Sequence, residues 1–225
     1  MTRPNLTFIG ERINPGFKST RAMLDANDIP AIQALAVKQA NAGAAYLNVN
    51  VDLTRAKKDP QYLIGMIEAI QDVVDIPLSF DFPDMTAQEI CLKTYDPGKA
   101  QGRKPIINSI CETRWEMIDL IEIQPARYLV MSSERLEDGM GKQNKTADEM
   151  FSTTKRMVDR MLGGDYGLVI DDLIVDVAVA TLSSDTEGRT RAALETVRRI
   201  HDDPDLKGIH MSAGLSNLAI QLPSV

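Results

Sequence analysis

The chain has 225 residues, of which 44% are hydrophobic and 25% charged, a composition typical of a globular protein that can bury a sizeable core. We therefore predict a single domain over residues 1–225. A formal net charge of -7 argues against a nucleic-acid-binding surface, and no apolar run reaches the roughly 18 residues that a membrane span needs.

The first half of the chain alternates short apolar runs with amphipathic segments. The apolar runs predict four strands, at residues 6–9, 44–51, 77–82 and 105–109. Three helices are predicted from their start signals, which are Asp28 with Pro30, Asp59 with Pro60, and Thr86 with Glu89 in the spacing of a capping box. The second of these helices carries one apolar stripe, formed by Leu63, Ile67, Ile70 and Val74.

The second half of the chain repeats this alternation. A helix around Trp115 precedes a predicted strand at 127–131, and the charged, glycine-rich segment 132–145 is predicted to be a loop. Thr146 and Glu149 then open a helix as a capping pair. The remaining predicted elements are a strand at 173–177, a helix over Arg189–His201 with Ala193, Leu194, Val197 and Ile200 facing inward, and a strand at 208–213.

Seven such strand–helix repeats predict a parallel sheet with helical crossovers, buried on both faces. A closed (β/α)8 barrel and an open doubly wound sheet both fit this pattern. The barrel is favoured because no strand end carries the GxGxxG sequence of a dinucleotide-binding open sheet. Since such barrels usually need about 250 residues, we predict that the last βα unit is missing and that the full-length protein continues for about 30 to 40 residues.

Polar residues end most of the predicted strands, where a barrel places its functional side chains. In chain order they are Glu11, Arg12, Asn14, Asn48, Asn50, Asp81, Asn108, Asp176 and Asn217. Each Asp or Asn alone is more simply explained by turn or capping chemistry. Asp81 and Asp176 are the strongest candidates, because both lie between apolar residues, where an unpaired carboxylate is costly. Such acceptors favour a ligand with ring N–H and amino groups.

Other kinds of site find less support in the sequence. Cys91 and Cys111 form no metal-type pair and are predicted to pack in the core. His201 and His210 lack metal-ligand spacing, so we predict no metal site. Aromatic residues make up only 5%, which argues against a sugar-cleaving barrel. The sequence GMGK at 139–142 lacks the Ser or Thr of a phosphate loop and is predicted to lie in a mobile loop over the barrel mouth.

A set of six short segments extends along nearly the whole chain: GERIN (10–14), NVNV (48–51), SFD (79–81), INS (107–109), VD (175–176) and GLSN (214–217). In this order and at these intervals they resemble the methyltetrahydrofolate:corrinoid protein methyltransferases. That family belongs to the pterin-binding barrel superfamily, which also contains dihydropteroate synthase. The resemblance implies a (β/α)8 TIM barrel of the pterin-binding type.

The resemblance also implies roles for individual residues. Asp81, Asn108 and Asp176 match residues that hydrogen-bond the pterin ring of tetrahydrofolate. Asn217 matches the residue that hydrogen-bonds near pterin N5, and we expect it to be catalytic. The other residues expected to bind substrate are Asn50, Glu11 and Asn14.

The sequence departs from the family pattern in three places. Asn48 stands where an acidic residue is usual, and Val177 stands where a Pro often follows the Asp. We expect the strand-eight region, with its further pterin contacts, to be missing from these 225 residues. These departures bear on the affinity and completeness of the folate site.

The resemblance implies a two-component reaction. The cobalamin-binding DxHxxG pattern is missing from this chain, so cobalamin is expected to arrive on a separate corrinoid protein, with tetrahydrofolate or 5-methyltetrahydrofolate as substrate. Family members are often homodimers, and several serve systems that demethylate methoxylated aromatics or methylated amines. The N-terminal segment has no secretion signal, which predicts a cytoplasmic protein.

We therefore predict a methyltransferase that moves a methyl group between the cobalt of a corrinoid protein and N5 of tetrahydrofolate. One alternative is a dihydropteroate synthase-like enzyme, although Lys207 lies at the wrong end of its strand for that reaction. The other alternative is a pterin-binding subunit without turnover.

Overall fold

A computed structural model describes residues 6–218, which form two compact units. The first unit holds residues 6–108 with Asp119–Ala126, and the second holds Ser109–Ile118 with residues 127–218. The single domain expected over 1–225 stays a prediction. Nowhere in residues 6–218 is a helix both long and apolar enough to cross a membrane.

The first unit contains four parallel strands and the helices that connect them. Its elements are β1 (Ile9–Ile13), α1 (Lys18–Asp25), α2 (Ile29–Asn41), β2 (Tyr46–Val49), α3 (Leu53–Lys58), α4 (Pro60–Gln71), β3 (Leu78–Asp81), α5 (Met85–Thr94), a 3-10 turn (Pro97–Ala100) and β4 (Ile106–Ile110), whose last two residues belong to the second unit. The strands lie in the order β1-β2-β3-β4. Sequence order and spatial order therefore coincide, as expected when each helix returns the chain to the next parallel strand.

Helix α4 supplies part of the apolar core of this unit. It begins at Pro60, as predicted from the start signal. Leu63, Ile67 and Ile70 are fully buried, which confirms the predicted stripe. Val74 lies past the end of the helix, so it does not extend the stripe.

The N-terminal caps of two helices show one prediction confirmed and one wrong. Asp28 caps α2 by accepting a hydrogen bond from the backbone N–H of Ala31. For α5 the cap is Asp84, which accepts from the N–H of Ala87, and not the predicted pair headed by Thr86. The helix begins before Thr86 because the carboxylate of Asp84 is already placed to accept an N–H of the first turn.

Strand β1 begins and ends later than the sequence indicated. The prediction was 6–9, whereas the strand runs over Ile9–Ile13. Its limits are decided by pairing with β2, in which Ile9 lies opposite Tyr46 and Gly10 opposite Leu47. Glu11 therefore lies inside the strand and does not follow it.

The second unit contains three parallel strands, an antiparallel hairpin and their helices. Its elements are the first part of a 3-10 segment (Glu112–Glu122), β5 (Arg127–Met131), β6 (Glu134–Glu137), β7 (Met140–Gln143), α6 (Ala147–Gly163), a 3-10 turn (Ile170–Asp172), β8 (Leu173–Asp176), a 3-10 turn (Leu182–Ser184), α7 (Arg189–Asp202), a 3-10 turn (Pro204–Leu206), β9 (His210–Ser212) and α8 (Leu215–Leu218). The parallel strands lie in the order β5-β8-β9. The predicted strand at 127–131 is confirmed at both ends.

The segment predicted to be a loop at 132–145 instead forms a hairpin. Strands β6 and β7 pair antiparallel, with Glu137 opposite Met140. Asp138 and Gly139 connect them, and both have positive φ angles, 56° and 75°. An Asp-Gly pair with this backbone is a favoured two-residue hairpin turn. The sequence signal was therefore present, but the high charge of the segment concealed it.

Helix α7 buries a narrower face than predicted. Ala193, Thr196 and Ile200 are buried, at helical spacing on one side. Leu194 was predicted to face inward, and this was wrong, since it is 56% exposed. It lies about 100° around the helix from Ala193, which turns it away from the packed face.

Both cysteines are buried free thiols, as predicted. Burial raises the pKa of the Cys91 thiol well above its ordinary value, and burial also raises the pKa of Cys111. The thiolate is thereby disfavoured at neutral pH. Since the thiolate is the reactive form, neither side chain is suited to act as a nucleophile.

The first prediction concerns the capping box of α6. The Thr146 side chain accepts from the Glu149 N–H, and the Glu149 carboxylate accepts from the Thr146 N–H. Thr146→Ala removes the cap and should lower the free energy of unfolding by about 1 kcal/mol in urea titrations. The control is Thr54→Ala, at an exposed position within α3, which should change stability by less than about 0.5 kcal/mol. Equal effects of the two substitutions would contradict the capping role.

Candidate functional site

The polar cluster of the first unit centres on Asp81, the last residue of β3. Asp81 lies opposite Asn108 of β4, and Asn48 of β2 lies opposite Ser79. Residues paired in a parallel sheet point to the same face, and alternate residues share a face. Asn48, Asp81 and Asn108 therefore project from one face of neighbouring strands. Asp81 ends β3 as predicted, whereas Asn48 and Asn108 lie inside β2 and β4.

Two amide groups bind the same oxygen of Asp81. Asn48 Nδ2 donates to Oδ2 of Asp81 at 3.2 Å, and Asn50 Nδ2 donates to it at 3.1 Å. Asn48 is only 4% exposed, so its donor is directed by packing. Within residues 6–218 no side chain donates to the other oxygen, Oδ1. The pair thus leaves one carboxylate oxygen able to accept hydrogen bonds from a ligand.

Glu11 lies in an irregular part of β1, where the register with β2 shifts between Gly10 and Ile13. The Arg12 N–H donates to Gln39 Oε1 at 2.8 Å, which satisfies a backbone donor that the shift removes from the ladder. A Cβ on Gly10 would lie 2.8 Å from the same Gln39 oxygen, so a larger residue there would require the Gln39 side chain to shift. Bulges of this kind are common beside active sites, because they redirect a side chain.

The electrostatic neighbour of Glu11 is Asp81. Although Glu11 as a residue is largely exposed, desolvation and then repulsion from the Asp81 carboxylate raise the pKa of its carboxyl group. The structure therefore brings Glu11 close enough to Asp81 for their charges to interact. A neighbouring negative charge makes a carboxyl group easier to protonate. Glu11 and Asp81 together therefore disfavour an anionic ligand and favour one that donates hydrogen bonds.

Asn14 follows β1 and serves a turn. Its Oδ1 accepts from the Gly16 N–H at 2.8 Å, which is the turn chemistry that the sequence offered as the simpler explanation. This is the hydrogen bond that residues 6–218 provide for its side chain. A role for Asn14 in binding substrate stays a prediction.

Sequence analysis missed Gln88, although it touches the backbone on either side of Asp81. Its Nε2 donates to the carbonyls of Phe80 and Phe82 at 2.8 and 3.0 Å, and to the carbonyl of Asn108 at 3.1 Å. Gln88 is fully buried in the first turns of α5. A glutamine on the core face of a helix directly after a strand was the available signal, since buried polar groups need partners.

In the second unit, Asp176 ends β8, between buried Val175 and Val177. Its Oδ1 accepts from the Ala178 N–H at 2.6 Å. Ala178 has a φ of 48°, a left-handed conformation that alanine adopts at a cost. The backbone carbonyl of Asp176 accepts from both the N–H and the hydroxyl of Ser132, at 3.0 and 2.9 Å. Asp176 thus holds its own turn in place while half-buried at a strand end.

Asn217 lies in the short helix α8, and its side chain is exposed. Its N–H donates to the Gly214 carbonyl at 2.9 Å. A Cβ on Gly214 would lie 2.8 Å from Asn217 Nδ2, so glycine at this turn leaves room for the amide. Asn217 comes five residues after the last residue of β9, where loops at the carboxyl ends of barrel strands carry functional groups.

The family of the chain follows from a comparison with known proteins. A model of the family described as pterin binding enzymes matches residues 10–223. Since this match covers nearly the whole chain, the protein belongs to the pterin-binding enzyme family. Among curated relatives, the methylcorrinoid:tetrahydrofolate methyltransferase of Eubacterium limosum is 27% identical over an alignment of 225 positions, which covers 97% of this chain and 76% of the relative.

Solved structures establish the fold. The 7,8-dihydropteroate synthase of Vibrio fischeri ES114 superimposes with a TM-score of 0.59 at 18% identity, covering 93% of this chain and 73% of that one. Dihydropteroate synthase from Xanthomonas albilineans, in complex with 7,8-dihydropteroate, gives 0.52 at 16% identity, covering 96% and 74%. The predicted (β/α)8 TIM-barrel class of the pterin-binding type is confirmed, and residues 6–218 contain seven of its parallel strands.

The second prediction concerns Asp81. In Asp81→Asn the neutral side chain satisfies Asn48 and Asn50 with its oxygen and turns an N–H donor toward the ligand, where an acceptor stood before. We expect the dissociation constant for tetrahydrofolate to rise by about 10- to 100-fold, the value of a hydrogen bond to a charged group. Anaerobic fluorescence titration measures it. Asp25→Asn, at an exposed site on α1, is the matched control, and an equal effect there would contradict the assignment.

The third prediction concerns the neutral amide at position 48. In Asn48→Asp a carboxyl would lie where Asn48 now approaches Asp81 at 3.2 Å, and repulsion would raise the pKa of the introduced group. A pKa raised on folding means that the folded state binds more protons, so the free energy of unfolding falls as pH rises. Urea titrations should show the variant losing more stability than the parent between pH 5 and pH 8. Parallel pH curves for the two proteins would refute this.

Proposed function

We propose that the protein transfers a methyl group from a methylated corrinoid, carried by a partner protein, to N5 of tetrahydrofolate. The observation that carries the proposal is the Asp81 carboxylate, pinned through one oxygen by Asn48 and Asn50 and able to accept through the other. Membership of the pterin-binding enzyme family supports the substrate class. The Eubacterium limosum relative, which is named a methylcorrinoid:tetrahydrofolate methyltransferase, supports the reaction and its direction.

The pterin ring carries an exocyclic amino group and ring N–H groups, all of which donate hydrogen bonds. Asp81 Oδ1 would accept from them, and Asn108, opposite Asp81 in the sheet, would both donate and accept. The carboxylate is a better acceptor than a neutral group, since charge-assisted hydrogen bonds are roughly twice as strong. The raised pKa of Glu11 points the same way, because a ligand group that donates hydrogen bonds is favoured beside these two carboxyl groups.

The resemblance to the corrinoid methyltransferases assigns two further roles. Asp176 would accept from the pterin ring, and Asn217 would contact N5. When bound, the corrinoid supplies the methyl group and keeps the electron pair of the cobalt–carbon bond. A contact from Asn217 would orient the N5 lone pair toward the methyl carbon, and the N5 proton would leave to solvent. Because an amide does not titrate near neutral pH, Asn217 would serve either direction without a change of protonation state.

A separate corrinoid protein is the proposed partner. The chain lacks the DxHxxG pattern of cobalamin-binding domains, so the corrinoid would be presented to it and not held by it. A cytoplasmic location and a homodimer are the remaining proposals about its setting. Both rest on the resemblance to the family.

The fourth prediction tests turnover through Asn217. Methylcobalamin consumption is followed by absorbance with tetrahydrofolate added and, in a parallel assay, with the methylated corrinoid protein. Asn217→Ala should lower the rate by about two orders of magnitude, as expected for a group that acts on the transition state. Its affinity for tetrahydrofolate should change far less. Asn41→Ala, at an exposed position ending α2, is the matched control.

This assay, a binding measurement and a condensation assay together distinguish the candidate functions. An unchanged rate in Asn217→Ala would overturn the catalytic assignment. Tetrahydrofolate binding without any turnover by the parent protein would indicate a pterin-binding subunit. Condensation of 4-aminobenzoate with a pterin diphosphate, in place of methyl transfer, would indicate a dihydropteroate synthase-like enzyme.

A further inference from the structure

We propose that Gln88 is the positioning residue of the pterin site: its side-chain amide holds the backbone at Asp81 and Asn108, and thereby sets the carboxylate and the amide that meet the ligand. The proposal rests on the proposed function, because it deepens the account of the same site. It stands on three hydrogen bonds from one nitrogen, all within the first unit.

The side-chain nitrogen of Gln88 has more hydrogen-bond acceptors around it than it has hydrogens. Nε2 carries two hydrogens and meets three carbonyl oxygens, so at least one hydrogen is shared between two acceptors. Three carbonyls leave only one amide orientation, since Oε1 in that place would face three acceptors. The side chain is therefore locked in a single pose.

The three carbonyls belong to the residues that surround Asp81. Phe80 and Phe82 flank it along the chain. The Phe80 carbonyl belongs to the peptide group that precedes Asp81, and the Phe82 carbonyl belongs to the group that follows Phe82, so Gln88 holds the backbone before and after this residue. The Asn108 carbonyl also accepts from the Phe82 N–H at 3.0 Å, which uses its second lone pair. One amide thus ties the ends of β3 and β4 together at the level of the two binding residues.

The other end of the Gln88 side chain shows that packing alone does not explain it. Oε1 is buried and, within residues 6–218, has no hydrogen-bond partner. A buried acceptor left unpaired is unfavourable, and an apolar side chain of the same shape would avoid it. The donors of the glutamine, which bind the three carbonyls, therefore explain why this position is not apolar.

Gln71 provides a matched comparison within the same unit. It is also a buried glutamine that binds backbone, with Nε2 donating to the Asp96 carbonyl at 2.9 Å and Oε1 accepting from the Asp96 N–H at 3.0 Å. Asp96 follows α5 and does not belong to the polar cluster. Gln71 therefore shares the structural role of a backbone clamp but has no binding residue to position.

The fifth prediction compares Gln88→Met with Gln71→Met. Methionine keeps the unbranched shape and removes the amide. Gln88→Met should raise the dissociation constant for tetrahydrofolate by about tenfold or more, because a small displacement of a positioned group has large effects. Gln71→Met should bind within about twofold of the parent, although both variants lose thermal stability. Equal affinities of Gln88→Met and the parent would overturn the proposal.

A double-mutant cycle distinguishes positioning from general stability. If Gln88 acts through Asp81, then Gln88→Met placed on Asp81→Asn should cost about threefold or less, because the group that it positions is already altered. If the cost is the same in both backgrounds, Gln88 does not act through Asp81 and the proposal fails. A stability effect alone would be additive and would appear with Gln71→Met as well.

Gln88→Glu keeps the test valid if Gln88→Met does not fold. The carboxylate has the same shape and presents no donor to the three carbonyls, whereas its protonated form presents one. Relative to the parent, its tetrahydrofolate affinity should be lower at pH 8 and partly restored at pH 6. An affinity equal to the parent at both pH values would overturn the proposal. A parent protein that binds no tetrahydrofolate would instead overturn the proposed function.

Discussion

The hydrogen bonds from Asn48 and Asn50 to one oxygen of Asp81 are the interaction on which the candidate site depends. Two neutral amides can approach a carboxylate closely without disfavouring its charge, and they consume only one of its two oxygens. An acidic residue at position 48 would impose a second charge at the same distance. Asparagine at this position therefore determines the electrostatics of the site and not only its shape.

The ends of parallel strands create a second constraint, because the sheet ladder stops there and backbone groups lose their partners. In the first unit, side chains from neighbouring helices replace those partners. Gln88 supplies donors to carbonyls at the end of β3 and to the Asn108 carbonyl within β4, and Gln39 accepts the N–H of Arg12 where β1 leaves register. The polar side chains of the cluster lie on the same segments. The hydrogen bonds that pair these backbone groups therefore also position the residues of the site.

Fold and function separate clearly in this family. The dihydropteroate synthases share the barrel with this chain at 16–18% identity, and the methylcorrinoid:tetrahydrofolate methyltransferase is 27% identical over the aligned positions. The fold by itself therefore does not assign the reaction, which has to be argued from the residues of the site. In this chain the proposed catalytic group is the amide of Asn217, given room by Gly214.

The sequence by itself determined the features that depend on neighbouring residues. Strand 127–131 and the capping box of Thr146 and Glu149 were predicted at the correct residues, because apolar runs and capping hydrogen bonds act over a few positions. Asp81 and Asp176 were also predicted correctly at the ends of β3 and β8, since each ends a recognisable apolar run. Their proposed roles in binding the pterin came from the resemblance to the corrinoid methyltransferases.

Only the tertiary structure decided what depends on residues distant in the chain. The limits of β1 follow from its pairing with β2, and Leu194 is exposed because packing covers only one side of α7. The hydrogen bonds to the Asp81 carboxylate and those from the Gln88 amide join residues up to 33 positions apart in the chain. No local pattern encodes such a contact, because its geometry exists only after the strands have been brought side by side.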